Sequence, residues 1–353
     1  MERRKLLTTG ATAFGLMIAG CTSTEDDSGP SPTTDDSNGD GTGNGDDQGD
    51  ESNGGNGNGD GDDGGENDEV EPEDVEEVIG ALIDGDQMQL VVEDIRYDTQ
   101  LSEFLEADPG NEFVIVSVAM KNISDEFLGV SNLLQASVVD DEDYSYNMTY
   151  GGTDEPTFND GQFAPGEVER GTVVFEVPED ATGLELRFDF DVSIFGGIDR
   201  AYINLEDETD VHILEQDLQI EVYDVGQAIE YEGTEIVINS VEYEQSLDQF
   251  TEADPGNEYV IVDLSVTNET GEEQRISTAL QMLIKDENGF SYQEDWGAGA
   301  ALSQNFDETS PLEDGETRRG QVAYQVEEDL SPLYWVFEFD MWIDGDKTFW
   351  QLR

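Results

Sequence analysis

Apolar and polar residues alternate along several stretches beyond residue 78. Val114, Val116, Val118 and Met120 form one such run, and Val260, Val262, Leu264 and Val266 form another. Val173-Phe175-Val177 and Leu333-Trp335-Phe337-Phe339 repeat the pattern. A period of two with one apolar face predicts half-buried β-strands. Turn signals such as Asp108-Pro109-Gly110 and Pro165-Gly166 separate the runs. No helical periodicity is sustained anywhere. Short strands at this spacing predict an all-β chain of sandwich type.

The alternation occurs twice because the chain is duplicated. Glu106-Ala107-Asp108-Pro109-Gly110-Asn111-Glu112 recurs unchanged as Glu252-Ala253-Asp254-Pro255-Gly256-Asn257-Glu258, 146 positions later. Asn122 answers to Asn268 at the same offset. Further on the offset becomes 149: Gly166-Glu167 matches Gly315-Glu316, and Gly171 matches Gly320. An insertion of three residues between explains the change. The repeat is too long for a solenoid unit, so it marks two copies of a whole domain. The expected boundaries are residues 78–212 for domain 1 and 213–353 for domain 2.

The paired pattern carries a resemblance. A long strand ends in Asn122 or Asn268, a loop follows, and then comes Pro165-Gly166-Glu167 with Gly171-Thr172-Val173-Val174-Phe175-Glu176-Val177-Pro178. This is similar to the telokin-like, immunoglobulin-fold domain family typified by a secreted immunoprotective antigen. The second copy departs from it, since Pro311 is separated from Gly315. The resemblance implies two immunoglobulin-like β-sandwich domains and an extracellular address. It brings no agreed activity and no catalytic residues.

The N-terminus changes the picture from fold to address. Arg3 and Arg4 precede Lys5-Leu6-Leu7 and a short, moderately apolar run to Gly20. The run is too short and polar for a spanning helix, and the charged start resembles a twin-arginine export signal. Ile18-Ala19-Gly20-Cys21 looks like a lipobox, and Cys21 is the sole cysteine. Residues 1–21 are therefore read as a lipoprotein signal peptide. Cys21 is the expected lipid attachment point, placing the protein on the cell membrane and facing outward. Residues 22–77 hold Asp, Glu, Gly, Asn, Ser, Thr and Pro with almost nothing to bury, the composition of a disordered acidic linker. As a Gly-rich coil its mean reach is roughly 40–45 Å.

Charge extends well beyond the linker. The chain has 86 acidic and 14 basic residues, a formal net charge of -72. Residues 22–77 account for 21 acids and no base, leaving 64 acids against 11 bases in residues 78–353. The acidity is global, and together with the lipobox it resembles a haloarchaeal-type lipoprotein. Sparse, dispersed cations exclude nucleic acid as a partner. Such self-repulsion is screened by salt. The melting temperature is therefore expected to rise from dilute buffer to molar KCl, and a melting temperature indifferent to salt contradicts the halophilic reading.

Candidate chemistry is thin. Asp36-Ser37-Asn38-Gly39-Asp40-Gly41 with Asp47 matches the opening of a calcium loop, without the closing Glu or flanking helices. The repeated loops offer Glu106, Asp108, Glu112 and Glu252, Asp254, Glu258 as paired Ca²⁺ ligands, or as solvated residues around a Pro-Gly turn. Three sequons, at Asn122, Asn147 and Asn268, are possible glycosylation sites. His212 is the only histidine and lies in the expected hinge. Trp296 and Trp342 fall off the core face and are candidates for a binding surface. No catalytic constellation, cofactor motif or dedicated metal site emerges. The expectation is a non-catalytic surface module for a protein or glycan partner. The alternative is a lipoprotein that captures a solute or a cation such as Ca²⁺.

Overall fold

Each copy folds into two facing sheets of the predicted alternating strands. The computed structural model describes residues 73–102, 105–130, 136–149, 155–190, 194–339, 343 and 345–353. Copy 1 contains β1 (Glu73–Ile79), β2 (Leu82–Asp84), β3 (Met88–Asp98), β4 (Asn111–Asn122) and β5 (Ala136–Val139). It continues with β6 (Ser145–Asn147), β7 (Val168–Pro178), β8 (Glu185–Asp189) and β9 (Ile198–Glu208). One sheet has the order β1-β9-β8-β5-β6 and the other β2-β3-β4-β7.

Copy 2 contains β10 (Val222–Asp224), β11 (Ala228–Tyr231), β12 (Thr234–Glu244), β13 (Asn257–Asn268) and β14 (Met282–Asp286). It continues with β15 (Ser291–Tyr292), β16 (Thr317–Glu327), β17 (Leu333–Phe337) and β18 (Thr348–Gln351). Its sheets run β10-β18-β17-β14-β15 and β11-β12-β13-β16, so every strand of the two main sheets has its counterpart nine places later, while copy 1 has two further short strand pairs, Gln100–Ser102 with Leu105–Glu106 and Leu128–Val130 with Gly161–Phe163. In both copies the first strand pairs parallel with the last. A bulge interrupts β3 between Val92 and Asp94, and β12 between Ile238 and Ser240, at the same 146-residue offset. The fold is two immunoglobulin-like β-sandwiches. Copy 2 also contains two single-turn helices, α1 (Thr278–Gln281) and α2 (Trp296–Gly299).

The alternating residues meet between the sheets. Val114, Val116, Val118 and Met120 pack with Val173, Phe175, Leu186, Phe188 and Ile203. In copy 2 Val260, Val262 and Leu264 pack with Trp335, Phe337, Phe339 and Trp350. Trp335 and Trp350 are wholly buried and keep their indole N–H groups bonded, to the Tyr324 hydroxyl (3.0 Å) and the Gln227 carbonyl (3.2 Å). That satisfies the polar tip while the ring contributes its area.

Three expectations need correction. The central strands are buried on both faces, not one. Phe113, Ile115 and Val174 are covered by Leu101 and Leu105, and Tyr259, Ile261 and Ala323 by Leu247, Ala298 and Leu302. The linker also ends sooner than residue 77. Glu73–Ile79 pairs along β9, with Val75 packed on the core and Ile79 inside it. Backbone pairing at the sheet edge and two apolar side chains outweigh the four acids of that strand. The hinge near His212 is a packed segment. The His212 N–H donates to the Gly80 carbonyl at 2.9 Å, and Leu214 is buried against Val91, Ala119 and Val168.

Candidate functional site

The most repeated motif is a turn. In Asp108-Pro109-Gly110-Asn111 the Asn111 N–H returns to the Asp108 carbonyl at 2.8 Å, and Gly110 has φ +92°. In copy 2 the Asn257 N–H returns to Asp254 at 2.9 Å, with φ +94° at Gly256. Proline second and a left-handed glycine third define a type II turn. Neighbouring bonds tie the turns to their sheets. The Asp108 N–H donates to Glu176, the Asp254 N–H donates to Gln325, and Glu258 pairs with Arg353 at 2.6 Å. Among the described residues no group of three or more His, Cys, Asp or Glu is arranged to hold a metal ion.

Two of the three sequons are also built into the fold. Asn122 and Asn268 are wholly buried. Asn122 donates both amide hydrogens, to the carbonyls of Glu126 (2.8 Å) and Phe163 (3.0 Å). Asn268 does the same to Glu272 (2.7 Å) and Leu312 (2.8 Å). The sequon hydroxyls of Ser124 and Thr270 donate to the Asn oxygens. The Asn-x-Ser/Thr spelling is thus a buried knot closing the loop after β4 and β13. The expectation of glycans there is corrected for the folded protein, since the attachment nitrogen is enclosed and fully bonded. Asn147 is exposed on β6 and stays open to modification.

The remaining sequence candidates scatter. Arg3, Arg4, Cys21, the Asp36–Asp47 loop and Trp342 lie outside the described residues. Trp296 is exposed, beside a hollow of copy 2.

What the sequence did not reveal is a buried ionic seam between the copies. β7 supplies Glu169 and Arg170, and the turn before it supplies Glu167. Lys285 of β14 bonds to Glu167 (3.1 Å), Glu169 and Ser291 (3.2 Å). Lys347 reaches across to Glu167 at 2.7 Å and holds Glu338 of its own copy at 3.0 Å. Arg170 pairs with Glu93 (2.9 Å) and donates to the carbonyls of Asn288 and Leu214. Lys121 donates to the Glu215 carbonyl of the connecting segment at 2.7 Å. Three of the four lysines in the chain therefore lie at the seam or on its connector. Beside it Ala164 of copy 1 packs with Leu283, Val336 and Phe349 of copy 2.

The electrostatics follow from burial. Burial pushes the Glu167 carboxyl up, but Lys347 and Lys285 outweigh it and hold it below the usual carboxylate range. Burial raises Glu338, and its repulsion from Glu167 adds to that. Burial lowers Lys347, yet the surrounding glutamates win and raise it. The corresponding positions of copy 2 lead elsewhere. Glu316 pairs with Arg318 (2.9 Å) and Arg319 with Asp263 (2.8 Å) on their own surface. The seam is a divergence of one copy from the other.

A cleft of about 800 Å³ opens beside the seam, with walls from both copies. Glu155 and Asn159 face Asp254, Tyr292, Asp295 and Gln325 across it. A neighbouring hollow of about 480 Å³ reaches Arg170 and Glu93. Carboxylates, amides and a phenol suit hydrogen bonding to a polar or cationic solute. Ser291 lines the cleft with Lys285 close by, but its hydroxyl donates to Glu169 at 2.8 Å and Lys285 acts only as a donor.

The protein is thus a tandem β-sandwich joined through a buried ionic seam. It belongs to the family described as "Domain of unknown function (DUF4352)", whose model matches residues 79–198 and 223–347. No curated protein matches the sequence. An uncharacterised β-sandwich protein from Clostridium difficile 630 is similar at 19% identity and TM-score 0.28, over 39% of this chain and 98% of that one. A candidate lipoprotein, YcdA of Bacillus subtilis, shares 15% identity at TM-score 0.30, over 37% of this chain and 40% of its own. MPT63, a secreted protein of Mycobacterium tuberculosis, shares 11% at TM-score 0.30, over 37% and 96%. Likenesses at that level carry nothing about activity to this chain.

Proposed function

We propose that this is a non-catalytic cell-surface lipoprotein whose two sandwiches act as one binding platform. Export through Arg3-Arg4 and lipidation of Cys21 place it on the outer face of the membrane. The acidic linker of residues 22–77, shortened to the start of β1, carries the platform outward. Its partner is a surface protein or a glycan. A haloarchaeal-type host and telokin-like ancestry belong to the same proposal.

The observation that carries this reading is the seam. Buried ion pairs between copies hold two sandwiches in one relation, and a preorganised surface loses less entropy on binding. The residues common to both copies serve turns, knots and close approaches rather than chemistry. Gly171 and Gly320 illustrate this. A Cβ there would stand 2.3 Å from the Phe158 nitrogen and 2.4 Å from the Phe306 Cα.

Anchoring and partner are tested together in the native host. Membrane fractions are cross-linked and the protein is recovered with whatever is attached. The wild type is expected in the membrane pellet with a specific partner, and Cys21→Ser in the soluble fraction. Two lipid chains hold firmly where one holds only marginally, so the shift should be near complete. A Cys21→Ser protein that stays in the pellet contradicts the anchor. The cleft favours a second reading, solute capture, which gains if the protein is recovered without a macromolecular partner but with a bound small molecule.

A further inference from the structure

Copy 2 departs from copy 1 at the position where its chain crosses the edge of the core. In copy 1, Met148 bridges to Phe175 and packs against the core. At the matching place copy 2 carries Glu294, bridged to Tyr324. An apolar side chain has been exchanged for a carboxylate at a half-buried position. The chain then forms α2 and returns across Gly320, leaving a hollow of about 470 Å³. Trp296 lines it with 69% of its surface exposed, whereas Trp335 and Trp350 are wholly buried.

The charges of the hollow are of one sign. Glu294, Asp295, Asp307 and Glu308 line it, and no Lys, Arg or His is among its lining residues. Arg318 lies nearby but directs its guanidinium to the carbonyls of Asp307, Ser310 and Pro311 and to Glu316. Glu308 accepts from the Thr278 N–H (2.7 Å) and hydroxyl (3.0 Å). Burial pushes Glu294 above the usual carboxylate range. The Thr278 hydroxyl, whose one hydrogen is shared with Glu308, opposes this and the charge of Glu308 adds to it. A neighbouring negative charge raises a half-buried carboxylate in this way.

We propose that this hollow binds a small organic cation, with the Trp296 indole as one wall and Glu294 and Glu308 as its counter-charges. An ammonium or quaternary ammonium head gains from an aromatic face and from carboxylates together. Its carbon skirt fits the apolar part of the wall, Phe306 and Val322. An inorganic cation would leave the indole unused. A neutral sugar would stack on the indole and leave the carboxylates uncompensated. The inference makes the solute-capture reading specific and rests on that reading alone. Its failure leaves a surface partner, tested by cross-linking, untouched.

The test uses the full chain in KCl, with choline chloride titrated at constant ionic strength and binding followed by calorimetry and tryptophan emission. Saturable binding is expected for choline, with none for glucose or an equal addition of sodium. Trp296→Ala and Glu294→Met are each expected to weaken it at least about tenfold, which corresponds to about 1.4 kcal/mol. Glu294→Met installs the residue of copy 1, so its melting temperature should not fall. Lost binding with an intact fold therefore separates a ligand contact from a structural one. No saturation, equal binding of sodium, glucose or Ca²⁺, or a titration unchanged by both variants overturns the proposal.

Discussion

Replacing Lys285 by methionine is expected to destabilise the protein by about 3–5 kcal/mol, the usual cost of leaving a buried carboxylate without its partner. Lys285 is fully buried and serves Glu167, Glu169 and Ser291 at once. Its loss strands charge in a place water does not reach. The signature is a melt in which the copies part company, read by denaturation of the variant beside the wild type. Adding Glu169→Leu to Lys285→Met should recover part of the loss, because removing both charges also removes the desolvation penalty. A single variant as stable as the parent would show that the seam contributes nothing.

The same seam sets a pH response. The folded-state value of Glu167 is depressed, so its contribution is present above the unfolded value of about 4.3 and is lost as pH falls through the folded value. Glu338 is raised, so it opposes this and favours the fold as it takes up a proton. Lys347 is raised, so its share is complete below the ordinary lysine value of about 10.4 and is lost only above it. The seam should hold across neutral pH and loosen first at the acid end.

Asn268→Leu is expected to cost about 3 kcal/mol, and Asn122→Leu a similar amount. Each variant leaves one buried carbonyl, of Phe163 or Leu312, without its donor and unties the partly exposed turn at Glu126 or Glu272, and an unsatisfied buried group costs roughly 1–3 kcal/mol. Asn268 loses its bonds to Glu272 and Leu312 and from Thr270; Asn122 loses those to Glu126 and Phe163 and from Ser124. Peptide mapping of native protein gives a second readout. Unmodified Asn122 and Asn268 are expected, and glycan on either would mean that it was attached before folding.

The strands, their duplication and the turn motifs were legible because each rests on local rules. Alternation gave Val114–Met120 its face, and Pro109-Gly110 could spell little but a turn. Asn122 and Asn268 were visible as a repeated pair, but their sequon spelling pointed outward while the bonds point inward. That distinction needs the loop carbonyls of Phe163 and Leu312, 41 and 44 residues away. The seam was hidden for the same reason, since Lys285 and Glu169 lie 116 residues apart. One signal was present. Lys285 sits in Met282–Asp286, a strand buried at every position, in a chain with four lysines. β1 was missed because four acids masked two core contacts.

The account turns on two copies of one sandwich behaving as a single body. Scanning calorimetry of the intact protein in molar KCl tests this most directly. One cooperative transition is expected, with calorimetric and van't Hoff enthalpies in agreement, splitting into two in Lys285→Met. Two transitions in the wild type, each accounting for one copy, would contradict it.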